Sequence, residues 1–112
     1  MKVLVVEDNK SASMIVCRII SSMGHETVHA ESGEEAIQFF NESHYDLILM
    51  DVEMPGMNGF DTTRLIRKAS PDLWVPIIFL SANTADTYLT IGIEAGGDDY
   101  LSKPVKPAAA SG

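Results

Sequence analysis

The stretch Leu47-Ile48-Leu49-Met50-Asp51-Val52-Glu53-Met54-Pro55-Gly56-Met57-Asn58-Gly59 decides how the rest of the chain is read. Four apolar residues bounded by charge fit a short strand buried on both faces, and Pro55-Gly56 then turns the chain. Asp51 therefore stands at the mouth of a buried strand. Glu7 and Asp8 end a second apolar run, Val3 to Val6, in the same way. Two strands bring carboxylates to one place, and a fold that gathers like charges there needs a reason.

Working outward, each apolar run is followed by a helical pattern. After Asn9-Lys10, the residues Ala12, Val16, Ile19, Ile20 and Met23 recur at helical spacing and stop at Gly24. His25 to His29 reads as a short second strand. Ser32-Gly33-Glu34-Glu35 matches a capping box, and the helix it opens is expected to bury Ala36, Phe39 and Phe40. Strand three runs from Asp46 to Met50. Asn58 caps a third helix with Thr62, Leu65, Ile66 and Ala69 along one side. Pro76 to Leu80 is a fourth strand, with Pro76 tolerable as its first residue. Thr84 to Ala95 is a fourth helix of weak helix formers, ended by Gly96-Gly97, and Asp99-Tyr100-Leu101 is a fifth strand.

Strands alternating with helices in this way call for βαβ units, right-handed crossovers and a five-stranded parallel sheet with helices on both faces. The fold class is α/β, a doubly wound three-layer sandwich. In such open sheets the ligand site lies beyond the carboxyl ends of the strands. The polar residues there are Glu7 and Asp8 after strand one, Asp51 after strand three, Ser81 after strand four and Lys103 after strand five.

Clustered carboxylates raise one another's pKa values unless a cation compensates. A site with few carboxylates and room for water and phosphate suits Mg²⁺, with Mn²⁺ as the alternative. Lys103 adds a point positive charge for a phosphoryl oxygen or for Asp51, and Ser81 a hydroxyl donor. These are the parts needed to place a phosphoryl group on a carboxylate. Any one acid at a strand end is usually just solvated; the joint placement at four strand ends is what carries the reading.

Composition narrows the alternatives. The 112 residues suffice for one domain, and 46% hydrophobic against 21% charged residues describes a folded globule, not a disordered chain. The net charge of −8 repels nucleic acid and anionic lipid, so no direct nucleic-acid or membrane contact is expected of this segment; a segment outside it would have to bind any DNA. Short apolar runs and the immediate start of strand one lead to a cytoplasmic expectation. Cys17, within a helical apolar pattern, reads as a small hydrophobe, and Trp74 as a cover over an edge of the core. His25 and His29, four residues apart on a strand and so roughly 13 Å from each other, cannot share an ion.

From Lys2 to about Pro107 the chain resembles the receiver domains of the two-component response-regulator family. The match rests on Val3-Leu4-Val5-Val6-Glu7-Asp8-Asn9, the Asp51 to Gly59 stretch, Ser81-Ala82-Asn83 and Ala95-Gly96-Gly97-Asp98-Asp99-Tyr100-Leu101-Ser102-Lys103-Pro104. The resemblance implies a flavodoxin-like strand order 2-1-3-4-5. It also implies that Asp51 accepts a phosphoryl group from a histidine kinase or histidine phosphotransfer protein. Glu7, Asp8, Asp51 and the backbone carbonyl of Glu53 would hold Mg²⁺, Ser81 and Lys103 would contact the phosphoryl oxygens, Ser81 and Tyr100 would form a switch pair, and Glu53 and Asn83 would tune the lifetime of the phosphorylated state. It implies a switch that assists its own phosphorylation, not an enzyme with turnover, acting on an output domain the sequence does not name.

Residues 1–107 are expected to form the domain, with 108–112 a linker or tag remnant. Lys103-Pro104-Val105-Lys106-Pro107 followed by Ala-Ala-Ala-Ser-Gly lacks the apolar face of a fifth helix. The expectation is a sheet side left uncovered near strand five and open to self-association. Two other functions compete. An aspartyl-phosphate phosphatase or phosphotransferase commonly has a second Asp two positions after the nucleophile, where Glu53 stands. A protein-binding module with a dead site would have lost an acid, the acceptor or the lysine, and none is lost. A nucleotide-binding role is weaker, since the first loop is acidic and has no glycine-rich cradle.

Overall fold

A computed structural model describes residues 1–103 of the chain; the expected linker at 108–112 and the question of a fifth helix lie outside them. Within these residues the elements run β1 (Lys2–Val6), α1 (Lys10–Ser22), β2 (Glu26–Ala30), α2 (Gly33–Glu42), β3 (Leu47–Asp51), α3 (Gly59–Ala69), β4 (Ile77–Ser81), α4 (Asp86–Ala95) and β5 (Asp99–Ser102). The five strands form one parallel sheet in the order β2-β1-β3-β4-β5, as expected.

Alternation along the strands splits the core in two, because successive side chains point to opposite faces. Val3, Val5, Leu49 and Leu80 face α1 through Val16, Cys17 and Ile20. Leu4, Val6, Ile48, Met50, Ile77 and Phe79 face the layer that carries Ala36, Phe40, Phe60, Ile66 and Ala95. The central strands β1, β3 and β4 are thus buried on both sides, which explains why they read as continuous apolar runs, whereas β5 at the edge leaves Asp99, Leu101 and Ser102 exposed.

Capping sets the helix starts. Asn9 Oδ1 accepts from the Ala12 N–H at 2.9 Å, and Asn58 Oδ1 from the Asp61 N–H at 2.9 Å. Ser32 Oγ accepts from Glu35 N–H at 3.1 Å, but Glu35 reaches back to the Glu31 N–H at 2.9 Å, one residue beyond the reciprocal partner of a capping box. By contrast α4 starts at Asp86, two residues after the expected Thr84, since Ala85 is extended and makes no side-chain cap. It ends as expected at Gly96, whose φ of 105° favours glycine.

Several packing expectations are corrected. Leu65 and Ala69 lie on the outer side of α3, whose buried side is Phe60, Thr62, Thr63 and Ile66. Met23, the residue that follows α1, is exposed. Trp74 is 68% exposed, so it covers no part of the core; Val75, the next residue, is the one that turns inward. Strand four begins at Ile77, leaving Pro76 outside it with its carbonyl free to accept from Ile48 N–H at 2.9 Å.

Candidate functional site

The sheet places the strand-end residues with backbone hydrogen bonds that continue the ladders past the strands. Glu7 N–H donates to Ala30 carbonyl oxygen at 3.0 Å, Val52 N–H to Leu80 at 3.0 Å and Lys103 N–H to Ser81 at 2.9 Å. Asp51 is therefore the last residue of β3 itself, one position later than the sequence reading ended that strand, and only 1% exposed. At Gly59 the start of α3 comes so close that an added Cβ would lie 2.2 Å from the Asp51 carbonyl oxygen. This contact fixes the loop between Asp51 and α3, and the sequence reading missed its meaning.

Glu7, Asp8 and Asp51 each bring a carboxylate oxygen within 4.8 Å of the others. Both Asp51 carboxylate oxygens are buried without a hydrogen bond among the described residues. The Lys103 ammonium lies 2.7 Å from Asp51 Oδ1, a charge contact without hydrogen-bond alignment, and 3.2 Å from Glu7 Oε2. One ammonium therefore faces two buried carboxylates. Burial, with Glu7 adding to it against the opposing pull of Lys103, pushes the Asp51 carboxyl up to about 7. Burial pulls the Lys103 ammonium down, but its contacts with Asp51 and Glu7 outweigh this and leave its pKa raised.

Under-coordinated, buried carboxylate oxygens converging beside an exposed Asp8 suit a hard divalent ion that keeps some of its waters. The residues present thus fit Mg²⁺.

Ser81, fully buried at the end of β4, donates its hydroxyl to Glu53 Oε1 and accepts from the Asn83 N–H at 3.0 Å. Asn83 carbonyl oxygen accepts from Tyr100 Oη at 2.9 Å, and Asn83 Oδ1 accepts from Ala85 N–H at 3.0 Å. Ser81 and Tyr100 are thus joined through Asn83. The Tyr100 ring rests against Phe79 at 5.9 Å between centroids, and Phe60 bridges Phe79 and Tyr88 at 5.1 and 5.6 Å.

His29 also escaped the sequence reading as a functional neighbour. It is half-buried and its Nε2 meets the Glu7 carbonyl oxygen at 2.7 Å, which fixes that nitrogen as the donor. His29 pairs in the parallel register with Val5, two residues before Glu7 on the neighbouring strand.

A family model described as the response regulator receiver domain matches residues 3–110. The chain is similar to the uncharacterized transcriptional regulatory protein YrkP of Bacillus subtilis, 40% identical over 92% of this chain and 43% of that protein. It is similar to the DNA-binding response regulator MtrA of Mycobacterium tuberculosis, 37% identical over 95% of this chain and 45% of that protein. The chain spans less than half the length of these curated relatives. Among solved structures, the Vibrio cholerae chemotaxis protein CheY4 is 31% identical with a TM-score of 0.91, over 98% of this chain and 92% of that one.

Proposed function

The chain belongs to the response regulator receiver domain family, and we propose that it works as the phosphoacceptor switch of a two-component phosphorelay, with Asp51 as the acceptor. The observation that carries this reading is the Asp51 carboxylate itself, buried, without a hydrogen bond on either oxygen among the described residues, and flanked by Lys103, Glu7 and Asp8. In this reading an Asp51 oxygen attacks the phosphorus of a phosphohistidine on a histidine kinase or histidine phosphotransfer protein, and the P–N bond breaks as the P–O bond forms. Lys103 and the Ser81 hydroxyl contact the transferred oxygens. Glu7, Asp8, Asp51 and the Glu53 carbonyl would hold Mg²⁺, which neutralises charge on those oxygens. The domain takes one phosphoryl group per cycle and so is a signalling element without enzymatic turnover.

Ser81, Asn83 and Tyr100 form the route to the surface, reaching the start of α4 through Ala85. The names of relatives narrow one expectation. The absence of nucleic-acid contact holds, in this proposal, for the acidic domain alone, and an output segment attached to it is open to DNA binding as in the relative named MtrA. No helix among the described residues is long and apolar enough to cross a membrane, and a cytoplasmic location belongs with the kinase partner as part of the proposal.

The test is incubation with Mg²⁺ and acetyl phosphate followed by intact mass measurement of wild type and Asp51→Asn. The wild type gains one phosphoryl group and the variant none. A variant that gains one equally well removes Asp51 from the role.

A further inference from the structure

Ser81 has one hydroxyl hydrogen, and in this structure it is given to Glu53 Oε1. The same hydroxyl must be donated to a phosphoryl oxygen if Ser81 is to report phosphorylation of Asp51, so the two acceptors exclude one another. Glu53 is two residues past Asp51, and Ser81 at the same time accepts from the Asn83 N–H. Behind Asn83 the chain of hydrogen bonds runs to Tyr100 Oη and to Ala85, the residue before α4. Among the described residues no side chain caps α4, and the Asn83 Oδ1 bond to the Ala85 N–H joins this route to its start.

We propose that Glu53 is a resting-state latch: its carboxylate holds the Ser81 hydroxyl, and through Asn83 the start of α4, until a phosphoryl group on Asp51 takes that hydroxyl away. The inference rests on the phosphoacceptor reading and gives the Glu53 side chain a positioning role in the unphosphorylated state, distinct from metal holding by its backbone carbonyl and from tuning the lifetime of the phosphorylated state. A charge-assisted hydrogen bond is stronger than a neutral one, so the latch sets a threshold that the incoming phosphoryl group must exceed. It also predicts a specific coupling: Glu53 matters to phosphoryl binding only while Ser81 has a hydroxyl to give.

A double-mutant cycle tests this, with beryllofluoride and Mg²⁺ as the phosphoryl probe. Glu53→Ala should tighten beryllofluoride binding at least roughly 10-fold, the lower end of the scale of one hydrogen bond to a charged acceptor. In a Ser81→Ala background the same substitution should change binding less than about 2-fold. In the probe-free protein, Glu53→Ala should also speed amide exchange at Asn83 and Ala85, a readout that does not depend on ligand. An equal gain in both backgrounds would mean simple charge repulsion and would overturn the latch, as would no gain with unchanged exchange. Failure of the wild type itself to bind the probe would instead overturn the phosphoacceptor reading, and the latch with it.

Discussion

The Lys103 ammonium stands 2.7 Å from Asp51 Oδ1, joining the residue after β5 to the last residue of β3 across the intervening end of β4. It is also 3.2 Å from Glu7 Oε2, so a single positive charge is shared by two carboxylates that are each less than a twentieth exposed. The local balance stays negative, and the Asp51 carboxyl sits at about 7 in spite of the ammonium. A centre in this condition is stabilised by protonation, by a divalent cation, or by removing a carboxylate.

Protonation has a definite sign. The folded-state pKa of Asp51, about 7, lies above its ordinary 3.8, so the folded protein binds the extra proton between these values. This contribution to stability is full below pH 4 and is lost as pH rises through 7. Without divalent ions, urea unfolding from pH 4 to pH 8 should show a loss assignable to Asp51 of at most about 4 kcal/mol. Asp51→Asn should flatten that profile and be more stable than wild type at pH 7.5; a variant with an unchanged slope would show that Asp51 is not the titrating group.

Cation binding should act in the opposite direction at neutral pH. Mg²⁺ at tenfold its dissociation constant should stabilise the wild type by about 1.4 kcal/mol. Glu7→Gln and Asp8→Asn should each weaken that thermal shift, whereas Glu34→Gln, on α2 away from the cluster, should leave it intact. Equal shifts in all four proteins would place the ion elsewhere.

Removing the ammonium leaves the carboxylates facing each other. Lys103→Ala should destabilise the metal-free protein at pH 7.5 by roughly 1–3 kcal/mol, the cost of leaving buried charge uncompensated after part of it is relieved by protonation. Added Mg²⁺ should recover some of the loss. Stability unaffected by the substitution, measured by urea unfolding, would argue that the 2.7 Å contact contributes nothing in solution.

Gly59 holds the acceptor loop by close approach. Gly59→Ala places a methyl 2.2 Å from the Asp51 carbonyl oxygen, a backbone atom that can move only if the strand end moves. The expected cost is roughly 1–3 kcal/mol, together with slower phosphorylation by acetyl phosphate. Wild-type rates and midpoint in this variant would show that the loop yields freely.

Helix α4 should be the least protected of the four helices among the described residues. It has no side-chain cap and buries only Gly92 and Ala95, while α1 is capped by Asn9. Native-state amide exchange should be faster across α4 than across α1. Equal protection in the two would count against α4 as the element that moves.

The strand runs, the Ser32 and Asn58 caps and the Gly96 stop all show in the sequence because each is a local pattern, set by two-fold or 3.6-fold periodicity or by a side chain reaching its own backbone three residues on. Once the strands are parallel, the polar residue after each must stand at one end of the sheet, and Glu7, Asp51, Ser81 and Lys103 follow from that alone. Helix faces were less legible. Leu65 and Ala69 share the spacing of Thr62 and Ile66 yet point outward, because the neighbours that bury a face come from distant segments.

By itself the sequence determined the element order and which side chains arrive at the carboxyl end of the sheet. Only the tertiary structure decided what each does on arrival: that Ser81 gives its hydroxyl to Glu53, that one Lys103 is divided between Asp51 and Glu7, and that His29 donates to the Glu7 carbonyl. Burial and the distance between groups far apart in the chain set those partnerships and the charge state of Asp51, and neither quantity is written in a local run of residues.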